Sequence, residues 1–160
     1  MSRSILARPL SLALLGCLGL LSLAAAQPVP SDQRTIFVYG SLKSGEYNHC
    51  RIADQEFLGL GSVRDYGLYV SHDRYPYAAA LEGARIVGEV YRVDAATGAL
   101  LDAFEGSDGY YPEPVWVRLR TGQLIVAEIY IVGPDRLAEL GAQRYRSPIW
   151  RGPMAEADEC

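Results

Sequence analysis

Apolar residues fall into three patterns along this chain, and each predicts a different kind of element. Residues 10–23 are almost continuously apolar. From position 35 onward, short β-branched and aromatic runs take over, at 35–39, 66–70, 78–81, 85–93, 115–119 and 124–132. Gly, Pro, Asn, Asp and Ser residues punctuate them, so they predict strands. Arg120-Thr-Gly-Gln123 separates the last two as a hairpin turn. Between the fourth and fifth runs the period changes. Leu100, Leu101 and Phe104 recur at helical spacing behind Asp94, an N-cap residue, and Gly106 fits the position just past the helix end. A second, short helix is predicted over 135–140, behind Pro134. No repeat or linker interrupts the series. The pattern predicts an α+β unit: a small mixed, mostly antiparallel β-barrel or curved sheet with one main helix.

The first apolar run belongs to a different category. Arg3 and Arg8 precede it and Ala24-Ala25-Ala26 follows it, the layout of a secretory signal peptide cleaved after Ala26. A single membrane anchor is one alternative, disfavoured by Pro9 and the cleavage-type tripeptide, and lipoprotein processing at Cys17 is another, for which Leu15 is a poor fit before the small residue. The expected organisation is a signal peptide over 1–26, a flexible leader over 27–33, a domain over 34–154 and an acidic tail over 155–160. An exported, periplasmic or secreted protein is implied. Beyond the signal no apolar run is long enough to span a bilayer.

The chain carries a formal charge of −4, and losing a leader with two arginines makes the remainder more acidic. That balance argues against nucleic acid or an anionic membrane surface as partner. Two cysteines lie beyond the leader, Cys50 and Cys160, and sequence leaves their pairing open. His49 and Cys50 are adjacent, poor geometry for chelating one ion, and His72 has no obvious co-ligand, so no metal or other cofactor is expected.

Two local motifs suggest chemistry. Tyr39-Gly40-Ser41-Leu42 follows the first strand, where Gly40 permits a sharp turn and the next backbone N–H groups can form a concavity for a carboxylate or phosphate. Glu105 closes the main helix, ahead of Gly106. A carboxylate there faces the negative end of the helix dipole, which raises its pKa, and burial would raise it further, towards values useful for proton transfer.

The ordered series Phe37-Val-Tyr-Gly-Ser-Leu-Lys43, Gly45, Asn48, Tyr75-Pro76, Gly88-Glu-Val-Tyr91, Leu100-Leu-Asp-Ala-Phe-Glu-Gly106 and Tyr110-Tyr111 resembles the γ-glutamylcyclotransferase family, from about 35 to 130. The resemblance implies a γ-glutamylcyclotransferase-like fold and conversion of a γ-glutamyl amino acid or amine to 5-oxoproline plus the free amine. It implies Glu105 as the catalytic acid/base. It also implies that Tyr39, Gly40, Ser41 and Leu42 grip the substrate's α-carboxylate and amine, with Tyr130 nearby. Glu89 is expected to pair with an arginine or face solvent and is left out of catalysis. The chain departs from the family at Tyr111-Pro112-Glu113-Pro114, where Glu113 replaces an expected basic residue and bears on the ionisation of the site. A γ-glutamylamine-specific variant, and a non-catalytic relative binding a carboxylated metabolite or protein, are the alternatives. A serine hydrolase lacks the G-x-S-x-G elbow, and a nucleotide loop lacks its spacing. Oligomeric state is not legible.

Overall fold

The strands predicted from 35 onward wrap into a single curved sheet. The computed structural model describes residues 32–72 and 74–152. The expected signal peptide, most of the expected leader and the acidic tail lie outside those residues, as do Cys17 and Cys160. The strands are β1 (Gln33–Val38), β2 (Glu56–Val70), β3 (Pro76–Asp94), β4 (Tyr111–Leu119), β5 (Leu124–Ile131) and β6 (Gln143–Tyr145). Their order is β3-β1-β5-β4-β2-β6, and β3 also pairs with β2. That extra pairing curls five strands into a ring and leaves β6 outside it. Most neighbours are antiparallel; β1 and β5 run parallel. Helix α1 (Ala95–Ser107) follows β3 directly, and α2 (Pro134–Glu139) follows β5.

Two of the predicted strands are longer than their apolar runs, for a physical reason. β2 begins at Glu56 rather than 66 because Gly59 and Gly61 break up the apolar run without ending the strand. Gly59 sits at a register shift with φ 140°, a bulge that only glycine accommodates easily. Runs 78–81 and 85–93 are one strand, β3. The register of β2 against β3 jumps between Arg64 and Tyr66, and the displaced turn is tied by a hydrogen bond from Gly83 N–H to Asp65 Oδ1 (2.9 Å). β6 has no apolar signature at all: Gln-Arg-Tyr simply extends the free edge of β2.

The core divides at β1, which is buried on both faces and therefore reads as a continuous apolar run. Phe37 and Tyr39 face the ring's interior with Val63, Leu68, Ile86, Val117, Ile129 and Trp150. Ile36 and Val38 face outward, where Ile52, Val93 and Leu101 pack with them and Phe104 closes the edge. Helix α1 seals this second layer. Asp94 is its N-cap, accepting from the Thr97 N–H at 2.7 Å. Two expectations about α1 need correction. Leu100 is 71% exposed, so the buried stripe is Leu101 and Phe104 without it. Gly106 lies inside the helix, which ends at the cap Asp108; Gly109, at φ 86°, makes the left-handed exit.

Candidate active site

The Tyr39–Leu42 segment is held from below by its first side chain. The Tyr39 hydroxyl donates to the Tyr130 carbonyl (2.8 Å) and accepts from the Ala78 N–H (3.1 Å), so it joins the end of β1 to β5 and β3. Gly40 follows where the chain skirts Pro76: a Cβ there would lie 2.8 Å from Pro76 Cγ. The restriction is close approach, not an unusual dihedral. Lys43 N–H then bonds the Gly40 carbonyl (3.1 Å) and Asn48 N–H bonds the Ser41 carbonyl (3.0 Å). Asn48, buried, also donates its amide to Ser41 Oγ (3.1 Å). Among the described residues no group accepts from the N–H of Ser41 or Leu42. Two adjacent donors left open in a rigid turn form a ready anion receptor.

Glu89 serves this loop. It accepts from Ser44 N–H (2.8 Å) and the Tyr91 hydroxyl (2.9 Å), so it neither pairs with an arginine nor stands idle in solvent. It braces the far end of the turn.

Helix α1 brings Glu105 to the same place. Leu101, Phe104, Glu105 and Asp108 fall at i, i+3, i+4 and i+7, the spacing of a core-facing stripe. Glu105 thus occupies a position where an apolar side chain is the norm. One pocket, about 520 Å³ including its open mouth, is lined by Tyr39, Gly40, Ser41, Leu42, Glu105 and Tyr130, together with Asn48, Pro76, Asp108 and Tyr110 among others. All six residues singled out from sequence therefore share one cavity. The Glu105 carboxyl is pushed up to about 7, chiefly by burial and then by the nearby Asp108 carboxylate, with the Arg51 guanidinium pulling the other way. Such a group exchanges a proton readily near neutral pH.

Tyr130 contributes its ring and not a free hydroxyl. Its hydroxyl donates to Asp102 Oδ1 (2.6 Å), one turn before Glu105. Arg34 lies beside them, forming an ion pair with Asp102 (2.7 Å) and a shorter one with Glu128. This cluster clamps α1 to β1 and β5. Glu113 is elsewhere: it accepts from the Tyr66 hydroxyl at 2.5 Å, does not line the pocket and is absent from the causes of Glu105's shift. The substitution of Glu113 for a basic residue therefore leaves Glu105's ionisation alone.

Asn48, Asp108 and Tyr110 belong to the site although sequence reasoning did not select them. Tyr110 stacks on Tyr77 (5.3 Å, 10°) and donates to the Pro76 carbonyl (2.9 Å), fixing the wall at Pro76. Asp108 could have been found from its i+3 spacing to Glu105. Asn48 and Tyr110 carry no signal beyond their places in the ordered motif series. Cys50 is disulfide-bonded.

Comparison with known proteins bears on the family and the fold. The family described as "Gamma-glutamyl cyclotransferase, AIG2-like" matches residues 36–152. An Escherichia coli γ-glutamylcyclotransferase family protein is 43% identical over 76 residues, 48% of this chain and 66% of its own. A Methanocaldococcus jannaschii protein bearing the family's name is 38% identical over 99 residues, 59% of this chain and 81% of its own. The crystal structure of a mouse AIG2-like protein superposes with a TM-score of 0.59 at 26% identity, covering 66% of this chain and 82% of that one. An uncharacterized protein from Pyrococcus horikoshii gives 0.58 at 27% identity, covering 72% and 88%. With the match running from β1 through the last described residue, this chain belongs to the γ-glutamylcyclotransferase family.

Proposed function

We propose that this protein converts a γ-glutamyl compound to 5-oxoproline and a free amine, with Glu105 as the single acid/base. The observation that carries the reading is that a carboxyl titrating near 7 shares one small pocket with the two open N–H groups of Ser41 and Leu42. A γ-glutamyl group fits those two features together. Its α-carboxylate takes the N–H pair, and its α-ammonium is held near the Tyr39 carbonyl and Glu105.

The reaction is intramolecular, so positioning does much of the work. Ionised Glu105 removes a proton from the α-ammonium. The freed amine nitrogen attacks the substrate's own γ-carbonyl carbon, and a new C–N bond closes the five-membered ring. Glu105 then returns the proton to the departing nitrogen as the original C–N bond breaks, and the second proton of the ring nitrogen passes to the released amine, which leaves as an ammonium. One carboxylate near pKa 7 serves both steps because each of its states is populated at neutral pH. The scheme calls for neither a covalent nucleophile nor a metal, and turnover is expected to be insensitive to chelators.

Export to the periplasm or outside the cell is part of the same proposal. It is supported by the leader at 1–26 and by the disulfide at Cys50, a bond that persists in oxidising compartments. Among the described residues no helix is long and apolar enough to cross a membrane. Incubating the protein with a panel of γ-glutamyl peptides and amines while measuring 5-oxoproline tests the activity. Release from at least one is expected; inertness towards all would leave only a binding role.

A further inference from the structure

Among the described residues, the ionisable ones lining the pocket are Glu105, Asp108 and tyrosines, and no lysine or arginine lines it. A substrate with one carboxylate is served by the Ser41 and Leu42 N–H groups. A substrate with a second carboxylate, on the departing amine, would meet Asp108 and Glu105 with no counter-charge in the wall itself.

Arg51 stands beside that wall. It ends a 3₁₀ turn, His49–Arg51, that follows the anion-binding loop. Its guanidinium carbon lies 4.2 Å from the centre of the Phe104 ring, and its Nε points at Asn48 Oδ1 from 3.4 Å. Phe104 and Asn48 both line the pocket, so the cation rests on two of the pocket's own residues. Among the described residues its two terminal nitrogens have no hydrogen-bond acceptor, and the residue is solvent-exposed. Other cations near the pocket are committed: Lys43 donates to the Trp150 carbonyl (2.9 Å) and pairs with Glu46 (3.6 Å), and Arg34, beside Tyr130, pairs with Asp102 and Glu128. Its field reaches the reacting carboxyl, since Arg51 holds Glu105 below the value that burial alone would give.

We propose that Arg51 is a specificity residue, whose guanidinium receives a carboxylate on the departing amine and selects γ-glutamyl-amino acids or peptides over γ-glutamyl-amines that lack one. The inference rests on the cyclotransferase reading and narrows its substrate class. Guanidinium and carboxylate form a directional, charge-assisted pair, and stacking on Phe104 fixes the plane of the donor. An uncharged amine gains nothing from such a group.

The test uses two substrates that differ by that carboxylate alone, γ-glutamyl-alanine and γ-glutamyl-ethylamine. Turnover is measured at about pH 9, above Glu105's titration, so that a change in its pKa does not enter. Binding is measured by calorimetry in the Glu105→Gln background, which does not depend on turnover. The wild type should favour γ-glutamyl-alanine roughly 5- to 30-fold in kcat/KM, as expected of one partly exposed charge-assisted contact. Arg51→Gln should abolish that preference by raising KM for γ-glutamyl-alanine alone, and Arg51→Lys should keep part of it. The calorimetric affinities should follow the same order. Equal preference in the wild type, or equal losses for both substrates in Arg51→Gln, would overturn the assignment. If neither compound yields 5-oxoproline yet γ-glutamyl-alanine binds more tightly through Arg51, the reaction is wrong and the carboxylate contact stands. If neither binds, the contact is wrong as well.

Discussion

Asp102 and Glu105 sit one turn apart on the same helix, and their carboxyls are driven in opposite directions. Asp102 is held below the usual carboxylate range, first by hydrogen bonds from Arg34, opposed by burial, and then by the Tyr130 hydroxyl. Glu105 is raised to about 7, because burial and Asp108 outweigh the pull of Arg51. Helix position explains little of this, since both lie in the C-terminal half of α1. What differs is the partner. Asp102 faces a fixed cation and stays ionised, which makes it a clamp. Glu105 faces a pocket with no hydrogen-bond or ion-pair partner among the described residues, which makes it a group able to trade protons. The clamp aligns the helix, and the helix aims the proton carrier.

The sharpest way to break this comparison is to neutralise each carboxyl in turn. Glu105→Gln should cut 5-oxoproline release by roughly 10²–10⁴-fold while the fold survives. Asp102→Asn should leave turnover within about tenfold and show itself in thermal melting, as expected when a solvent-screened ion pair is lost. Comparable losses of turnover in both would dissolve the distinction. Glu89→Gln should resemble Asp102→Asn, since Glu89 braces the loop and never reaches the pocket.

Next in size is the grip itself. Gly40→Val would force a side chain against Pro76, displacing the loop that carries the open N–H groups. We expect KM to rise by on the order of tenfold or more, with a smaller change in melting temperature. A large loss of stability with KM intact would show that Gly40 serves packing and not the ligand.

Stability should carry the signature of an unsatisfied acid. A carboxyl at about 7 in the folded state and 4.5 as its reference binds more protons folded than unfolded between those values. Stability therefore falls as pH rises through that window. Replacing Glu105 with Gln should leave stability near pH 4 unchanged and increase it at pH 8 by about 1–3 kcal/mol, read by denaturant titration. Asp102 has the opposite sign: its depressed value stabilises the fold above its ordinary range, and that support is lost only as pH falls below it. The smallest effect expected is for Asp108→Asn. Removing that charge should lower Glu105's pKa and move the acid limb of the kcat/KM profile to lower pH by a fraction of a unit.

The contrast also marks what the sequence could express. The N-cap at Asp94, the Leu101/Phe104 stripe and the apolar run of β1 follow from local spacing, and so did the single α+β unit. The Tyr39–Leu42 turn and Glu105 were visible as motifs, but their meeting depends on β1 and α1 packing through Ile36, Val38 and Leu101. Gly59 and Gly83 hid the true lengths of β2 and β3, because a bulge looks like a break when its partner strand is unknown. Leu100 was misplaced because three apolar residues at helical spacing do not reveal which of them faces out. Tyr110 acts through a hydrogen bond to Pro76, in a distant segment of the chain, and Asn48 through one that closes its own loop onto Ser41, and nothing in a linear pattern encodes either.

The central claim, that Glu105 is a proton carrier because the pocket gives it no partner, is tested most directly by watching that carboxyl titrate. The side-chain carboxyl carbon of Glu105, assigned by its loss in Glu105→Gln, should titrate in the ligand-free protein near 7 and track the acid limb of kcat/KM for 5-oxoproline release. Asp102 should titrate in the same spectra below the ordinary aspartate range. A Glu105 signal titrating near 4.5, with an acid limb that follows some other group, would contradict the account.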